Sequence, residues 1–293
     1  MTAISIIIPV YNEEVILAEA VEGLIRGLDS LRFSFEVLLC ENGSTDGTAA
    51  IARDLSRADA RVRILHLSYP SYGHALRAGI EHARYDRLVL LNLDLCDMEF
   101  LARASALLDQ FECVVGSKVA PGSKDERPLV RRLITRLFNG FLRVALGFKG
   151  SDTHGIKAFR RHRVLPLVRA CATNAELFDT ELVLRAHRAG VTWQEIPVTV
   201  RECRPARTTV LGRAVRTLPE LLTLLRACWK RPEPAKPDEL FNAYDRERVC
   251  RLAQHFSVEE IVELTLIPRS HVLYYLTPKP QPEERWTVLG LAK

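Results

Sequence analysis

The sequence predicts an α/β protein, built on a mostly parallel, doubly wound sheet and followed by a small helical appendage. Short β-branched runs alternate with helical stretches of roughly 10–15 residues through the first half, the pattern of strands joined by crossover helices. Three polar clusters, Tyr11-Asn12-Glu13, Glu41–Asp46 and Asn92–Asp97, fall where those runs end. Open α/β sheets bind ligands beyond the carboxyl ends of their strands, so this convergence marks one site. Arg231-Pro-Glu-Pro-Ala-Lys-Pro237 then carries three prolines in seven residues. It reads as a linker over residues 231–239, dividing a domain over residues 1–230 from a tail over residues 240–293.

Taken in order, Ile4–Val10 is a β-branched strand closed by Pro9-Val10-Tyr11-Asn12. Asn12 is placed to cap a helix over Glu13–Leu28, with Glu13 and Glu14 in the first turn where the helix dipole favours them. Phe35–Cys40 is the second strand, followed by the turn Glu41–Gly47 and a helix to about Leu55. Val62–Leu67 is a third strand, Tyr72–Arg84 a helix, and Arg87–Leu93 a strand ending at Asn92-Leu93-Asp94. A helix over Met98–Asp109 leads to the strand Cys113–Ser117. Arg127–Lys149 then holds six basic residues and no acidic one, with Leu133, Leu137, Phe141 and Ala145 on one helical stripe and Arg132, Arg136 and Arg143 on another. Leu182–Ala189 reads as helix, Val191–Val200 as strand, and Thr208–Lys230 as a second amphipathic helix.

Of the 293 residues, 47% are hydrophobic and 26% charged, which excludes disordered, collagenous and disulfide-scaffold classes. The formal charge of +5 is too mild to imply a nucleic-acid partner, so basic surface must arise by clustering. Seven scattered cysteines without a CxxC pair read as reduced, buried thiols of a cytoplasmic chain. Met1 leads almost directly into a strand, with no leader pattern. No stretch reaches the roughly 18 uncharged apolar residues of a membrane span.

Asp94, at a strand's carboxyl end, has the placement to hold Mg²⁺ or Mn²⁺ against a leaving diphosphate. The plainer reading makes Asp97 a helix cap and Asp94 an acceptor for turn amides. Likewise Ser44-Thr45-Asp46-Gly47 reads as a cap and turn, while Glu41 has the position to accept hydrogen bonds from a base or ribose.

The ordered series of motifs resembles the family 2 glycosyltransferases. Ile6–Glu14 looks like that family's opening, Glu41–Thr48 its nucleotide-binding turn, Gly73–Gly79 its next helix, and Leu91–Asp97 the slot of its DxD segment. Gly116-Ser117-Lys118, Ser151–Phe159, Phe178–Leu182 and Glu195–Val198 continue the match over about residues 4–230. The later blocks look most like the polyprenyl (dolichyl) phosphate hexosyltransferases, leaning to the glucosyl over the mannosyl branch.

The resemblance implies a GT-A fold, Rossmann-like, that binds a nucleotide sugar and a divalent metal, Mg²⁺ or Mn²⁺. It implies that Pro9, Tyr11, Glu13, Glu41 and Asn42 meet the nucleotide, that Asp94 coordinates the metal with Asn92 beside it, and that Lys118 approaches the phosphates. Arg131 and Thr135 match a pair that holds an acceptor phosphate, while Asp152, Asp179 and Arg201 fall in substrate-binding blocks. Asp179 or Glu181 would act as base for a hydroxyl acceptor; their family positions otherwise imply a structural or orienting role. For a polyprenyl phosphate acceptor, already ionised, the resemblance implies in-line attack with inversion.

Three departures stand out. The DxDxQ segment is Asn92-Leu93-Asp94-Leu95-Cys96, with one anionic ligand and a thiol that suits softer metals. Glu41-Asn42 replaces a paired Asp. Arg201–Thr208 keeps basic residues but lacks the expected glycine. The two basic amphipathic helices suit peripheral binding to an anionic membrane surface, on the inner face, each basic residue contributing roughly 1 kcal/mol. Packing on the sheet with arginines in water, or a homo-oligomer interface, satisfies the same pattern. The tail segments Glu247–Gln254, Val258–Leu264 and Arg269–Tyr275 have helix-turn-helix rhythm. Four arginines against five acidic residues over Tyr244–Leu276 favour a protein-docking role over DNA. Transfer to a saccharide or other hydroxyl, and a non-catalytic nucleotide-sugar-binding role, are the competing expectations.

Overall fold

The computed structural model describes residues 2–93, 97–200, 210–229, 253–254, 257–265 and 276, without the side chains of 210–216, 229 and 262–265. The chain divides into two compact units, Met1–Arg231 and Pro232–Lys293. In the first unit β1 (Ala3–Val10), β2 (Ser34–Asn42), β3 (Val62–Leu67) and β4 (Arg87–Leu90) alternate with α1 (Leu17–Ser30), α2 (Thr48–Ala58) and α3 (Tyr72–His82). After α4 (Met98–Leu107) come β5 (Cys113–Ser117), the two-residue β6 (Lys124–Asp125) and α5 (Leu129–Leu146). The rest is β7 (Lys157–Arg160), α6 (Arg161–Ala170), α7 (Phe178–Arg188), β8 (Trp193–Pro197), β9 (Thr199–Val200) and α8 (Val210–Trp229). In the second unit α9 (Val258–Thr265) is the described helix. The tail segments Glu247–Gln254 and Arg269–Tyr275 lie almost wholly outside the described residues.

The seven-stranded sheet has the order β3-β2-β1-β4-β7-β5-β8, parallel except for β7, which runs antiparallel to both neighbours. β7 and α6 are absent from the sequence reading. A four-residue strand, buried at Lys157, Ala158 and Phe159, has no alternation to announce it. Its insertion widens the sheet while leaving the carboxyl ends of β1, β2, β4, β5 and β8 on one edge.

Helices cover both faces because each presents an apolar stripe at helical spacing. On α1 the stripe is Leu17, Val21, Leu24 and Leu28, all nearly inaccessible, each contributing about 2 kcal/mol by area. On the other face α3 packs so closely that a Cβ on Gly79 would lie 2.3 Å from Ile7 Cγ2, so only glycine permits that approach. A third cluster joins α5, α7 and α8 through Leu142, Leu146, Val183, Leu184 and Leu224.

Two boundary expectations fail for identifiable reasons. α1 starts at Leu17, not Glu13, because Asn12 adopts φ +54° and turns its side chain across to the next loop. The predicted strand Val191–Val200 splits at Val198, with β9 leaving the main sheet to pair with β6.

Candidate active site

At the carboxyl edge the first three loops are tied together. Asn12 N–H donates to Ser44 Oγ at 3.0 Å, and Asn12 Oδ1 accepts from Thr45 N–H at 2.8 Å. Glu13 N–H donates to Thr48 Oγ1, and the Glu14 carboxylate accepts from Gly47 N–H. Asp46 accepts from Thr48 N–H at 3.0 Å, the turn role read for it, while Gly47 stands at the N-cap of α2. Burial pushes its carboxyl up, but the bonds from Thr48 and Glu14 outweigh this and hold it below the usual carboxylate range. Pro9 and Tyr11 are half-buried where β1 gives way to this loop.

Glu41 is buried at the end of β2, where one oxygen accepts from Ser44 N–H at 2.6 Å and the other bonds His66 Nδ1. Both oxygens of this expected nucleotide ligand are therefore engaged. Asn42 Oδ1 accepts from Ser71 N–H at 2.6 Å, and Gly43 takes φ +69° where a Cβ would meet the Tyr69 backbone at 3.0 Å. Hence the β1, β2 and β3 loops are positioned before any ligand arrives.

In the centre, Asn92 is exposed beyond β4. Asp97 caps α4, its Oδ1 accepting from Phe100 N–H at 2.9 Å, so the capping reading holds for this residue. Asp94, with Leu95 and Cys96, lies outside the described residues, as does Arg201. Among the described residues no group of three or more His, Cys, Asp or Glu side chains is arranged to hold a metal. A cation at this slot would draw on the Asn92 carbonyl and Asp94, a hard oxygen pair suited to Mg²⁺ or Mn²⁺.

Beyond β4 a buried ionic strap crosses the edge. Lys118 Nζ donates to His154 O at 2.6 Å and lies 3.4 Å from Asp152 Oδ2. Burial pulls the Lys118 ammonium below the lysine range against Asp152, while Arg127 and Lys157 add to that pull. Burial raises the Asp152 carboxyl, but Lys118 and the His154 N–H outweigh it and hold it low. Lys157 Nζ donates to Gly155 O at 2.7 Å and pairs with Asp179 Oδ2 at 3.2 Å, an oxygen that also accepts from Tyr72 at 2.9 Å. The other oxygen, Asp179 Oδ1, is buried with no hydrogen-bond partner among the described residues. Glu181, two residues on, is saturated by Ala172 N–H, Thr173 N–H, Thr173 Oγ1 and Arg185. Those bonds give it the task of holding the α6–α7 loop.

Next to Lys118 a cavity of about 150 Å³ is lined by Ser123, Asp125, Arg132, Thr135 and Arg136. The sequence pairs Arg131 with Thr135. In the structure Arg132 and Arg136 line this cavity with Thr135, whereas Arg131 offers its main-chain carbonyl to Thr135 Oγ1 at 3.0 Å. The i, i+3, i+4 spacing of Arg132, Thr135 and Arg136 is the signal that finds them. Arg127, forked onto Asp125 with both contacts at 2.8 Å, braces the wall.

Residues 5–166 match the sequence model of glycosyl transferase family 2. Glycosyltransferase AglD of Haloferax volcanii is 33% identical over 202 residues, covering 67% of this chain and 32% of that protein. Undecaprenyl-phosphate 4-deoxy-4-formamido-L-arabinose transferase of Edwardsiella ictaluri is 32% identical over 152 residues, 51% of this chain and 46% of its own. The chain thus spans about a third to a half of these curated relatives. Among solved structures, glucosyl-3-phosphoglycerate synthase from Mycobacterium tuberculosis, in complex with Mn²⁺, UDP and phosphoglyceric acid, aligns with TM-score 0.58 at 22% identity over 80% of this chain and 81% of its own. That likeness is one of fold, and the sheet is of the GT-A kind. With more than half of its length matched by the family model, the chain belongs to glycosyl transferase family 2.

Proposed function

We propose that this protein is an inverting hexosyltransferase that moves a hexose from a nucleotide sugar, UDP-glucose or GDP-mannose, to polyprenyl phosphate. One observation carries the acceptor: the basic cavity at Lys118, Arg132, Thr135 and Arg136 opens beside a helix whose outer face is apolar and uncovered. On α5, Leu129, Val130, Leu133, Leu137 and Val144 are all more than half exposed. A phosphate seated among the cations with its hydrocarbon chain along that face fits one molecule that is anionic at one end and apolar at the other. The same helix, with arginines and no acid, suits peripheral contact with an anionic leaflet. No described helix is long and apolar enough to cross a membrane. The curated relatives lend support, one being a transferase named for undecaprenyl phosphate.

In this reading the β1–β3 loops hold the nucleoside and the strap 151–157 orients Lys118. The phosphate oxygen attacks the anomeric carbon as the carbon–oxygen bond to the diphosphate breaks, and the electron pair leaves with the diphosphate. A divalent ion at Asp94 and Asn92 would neutralise that leaving group when bound. Incubating the protein with each donor, polyprenyl phosphate and Mn²⁺ is expected to yield glycosylated lipid, and chelation to abolish it. No lipid product from either donor with either metal sinks the proposal.

One observation favours a hydroxyl acceptor instead: the buried Asp179 Oδ1, without a hydrogen-bond partner among the described residues, has the form of a base. If a hydroxyl is the acceptor, Asp179→Asn lowers kcat by about 100-fold or more. If an ionised phosphate is, no base is required and kcat falls by less than about tenfold.

A further inference from the structure

The strand order β3-β2-β1-β4 places the switch point between β1 and β4, where a diphosphate sits in such sheets. Three strand spacings, about 14 Å, separate β4 from β3, about the span of an extended nucleoside diphosphate. Whatever lies over β3 therefore meets the base. In the β2–β3 register His66 stands beside Glu41. The Glu41 carboxylate is buried and fixed by Ser44 N–H, and it bonds His66 Nδ1. The imidazole side chain is 65% exposed, so one ring nitrogen is anchored to the protein while the ring reaches into solvent. In the tautomer that donates Nδ1–H to Glu41, Nε2 is an acceptor and points away from the carboxylate.

We propose that His66 is a specificity-determining residue for the donor's base, its Nε2 accepting a hydrogen bond from a ring N–H. The inference rests on the donor site proposed above and assigns its choice of base to one residue. Uracil and guanine present a ring N–H on their pairing edge, whereas cytosine and adenine present a ring nitrogen lone pair there. An acceptor fixed by a buried carboxylate rewards the first pair and repels the second. Glu41, the residue the sequence nominates for the base, acts through His66 as a positioning group because both its oxygens are occupied.

Calorimetric titration of the full chain with UDP, GDP, CDP and ADP, each with Mg²⁺, tests this directly. Wild-type protein is expected to bind UDP or GDP about tenfold tighter than CDP and ADP, the worth of one such bond. His66→Ala and His66→Phe are expected to bring all four within about twofold of one another. The phenyl variant keeps ring area without the lone pair, so a preserved preference there overturns the hydrogen bond. N3-methyl-UDP on wild-type protein removes the donor from the ligand side, leaves folding untouched and is expected to lose the same tenfold. Equal losses for all four nucleotides in the variants, or no preference in wild type, overturn the role of His66 while leaving the donor site standing. Failure of wild type to bind any of the four overturns the donor-site reading itself, and His66 with it.

Discussion

Two carboxylates on α7, Asp179 and Glu181, two residues apart, have different surroundings. Glu181 is fully buried and spends both oxygens on the α6–α7 loop and Arg185. Replacing it with Gln strands part of that network, and we expect a loss of about 3 kcal/mol in urea denaturation, with donor affinity retained in the folded fraction. An unchanged midpoint shows that the loop holds without it. Asp152 gives a pH signature. Its folded carboxyl is held below the ordinary value, so its pairing contributes stability above about pH 4 that is lost as pH falls through the lower folded value. Melting curves of Asp152→Asn are expected to be lower than wild type at pH 7 and to converge with it in acid; parallel curves refute the linkage. Local chemistry made some of this legible. Asp97 as a cap and Asp46 in its turn follow from side chains bonding amides two or three residues away. Asn12 was not legible, because its partners Ser44 and Thr45 lie over thirty residues along the chain.

α5 shows what periodicity tells and what it withholds. The stretch Arg127–Lys149 identifies the helix to within about three residues at either end, and Gly147, at φ +67°, ends it as glycine ends helices. The apolar stripe Leu133, Leu137 and Phe141 nevertheless faces out, each residue more than a third exposed. The inward stripe is Asn139, Leu142 and Leu146, with Asn139 Nδ2 bonding Ser151 O at 2.7 Å. Two apolar stripes on one helix look alike in sequence, and only the partner element decides between them. Because the outer leucines pack on little, Leu133→Glu with Leu137→Glu is expected to leave the melting temperature within about 2 °C. The same pair is expected to weaken sedimentation with anionic vesicles by about tenfold or more. Undiminished vesicle binding, or its absence in wild type, removes α5 as a membrane contact.

Over the whole molecule, the doubly wound sheet and the edge where its polar loops gather were foreseeable, since three of the first four strands, β1, β2 and β4, run into polar clusters. The antiparallel β7 was not, and with it came Lys157 as the buried partner of Asp179. The three apolar clusters draw all their residues from positions 4–228, and every described side chain of the candidate site belongs to the same unit, Met1–Arg231. A chain ending at Arg231 therefore holds every described residue of those three clusters and the described groups that ring the edge. It is expected to unfold in one cooperative transition and to bind the preferred nucleoside diphosphate within about twofold of the full chain. A loss of tenfold or more would assign residues 232–293 a group in the site. A loss of cooperativity without loss of affinity would assign them to the stability of the first unit. Affinity and cooperativity both preserved would leave the tail, with its slight acidic excess over Tyr244–Leu276, to contact something other than the donor.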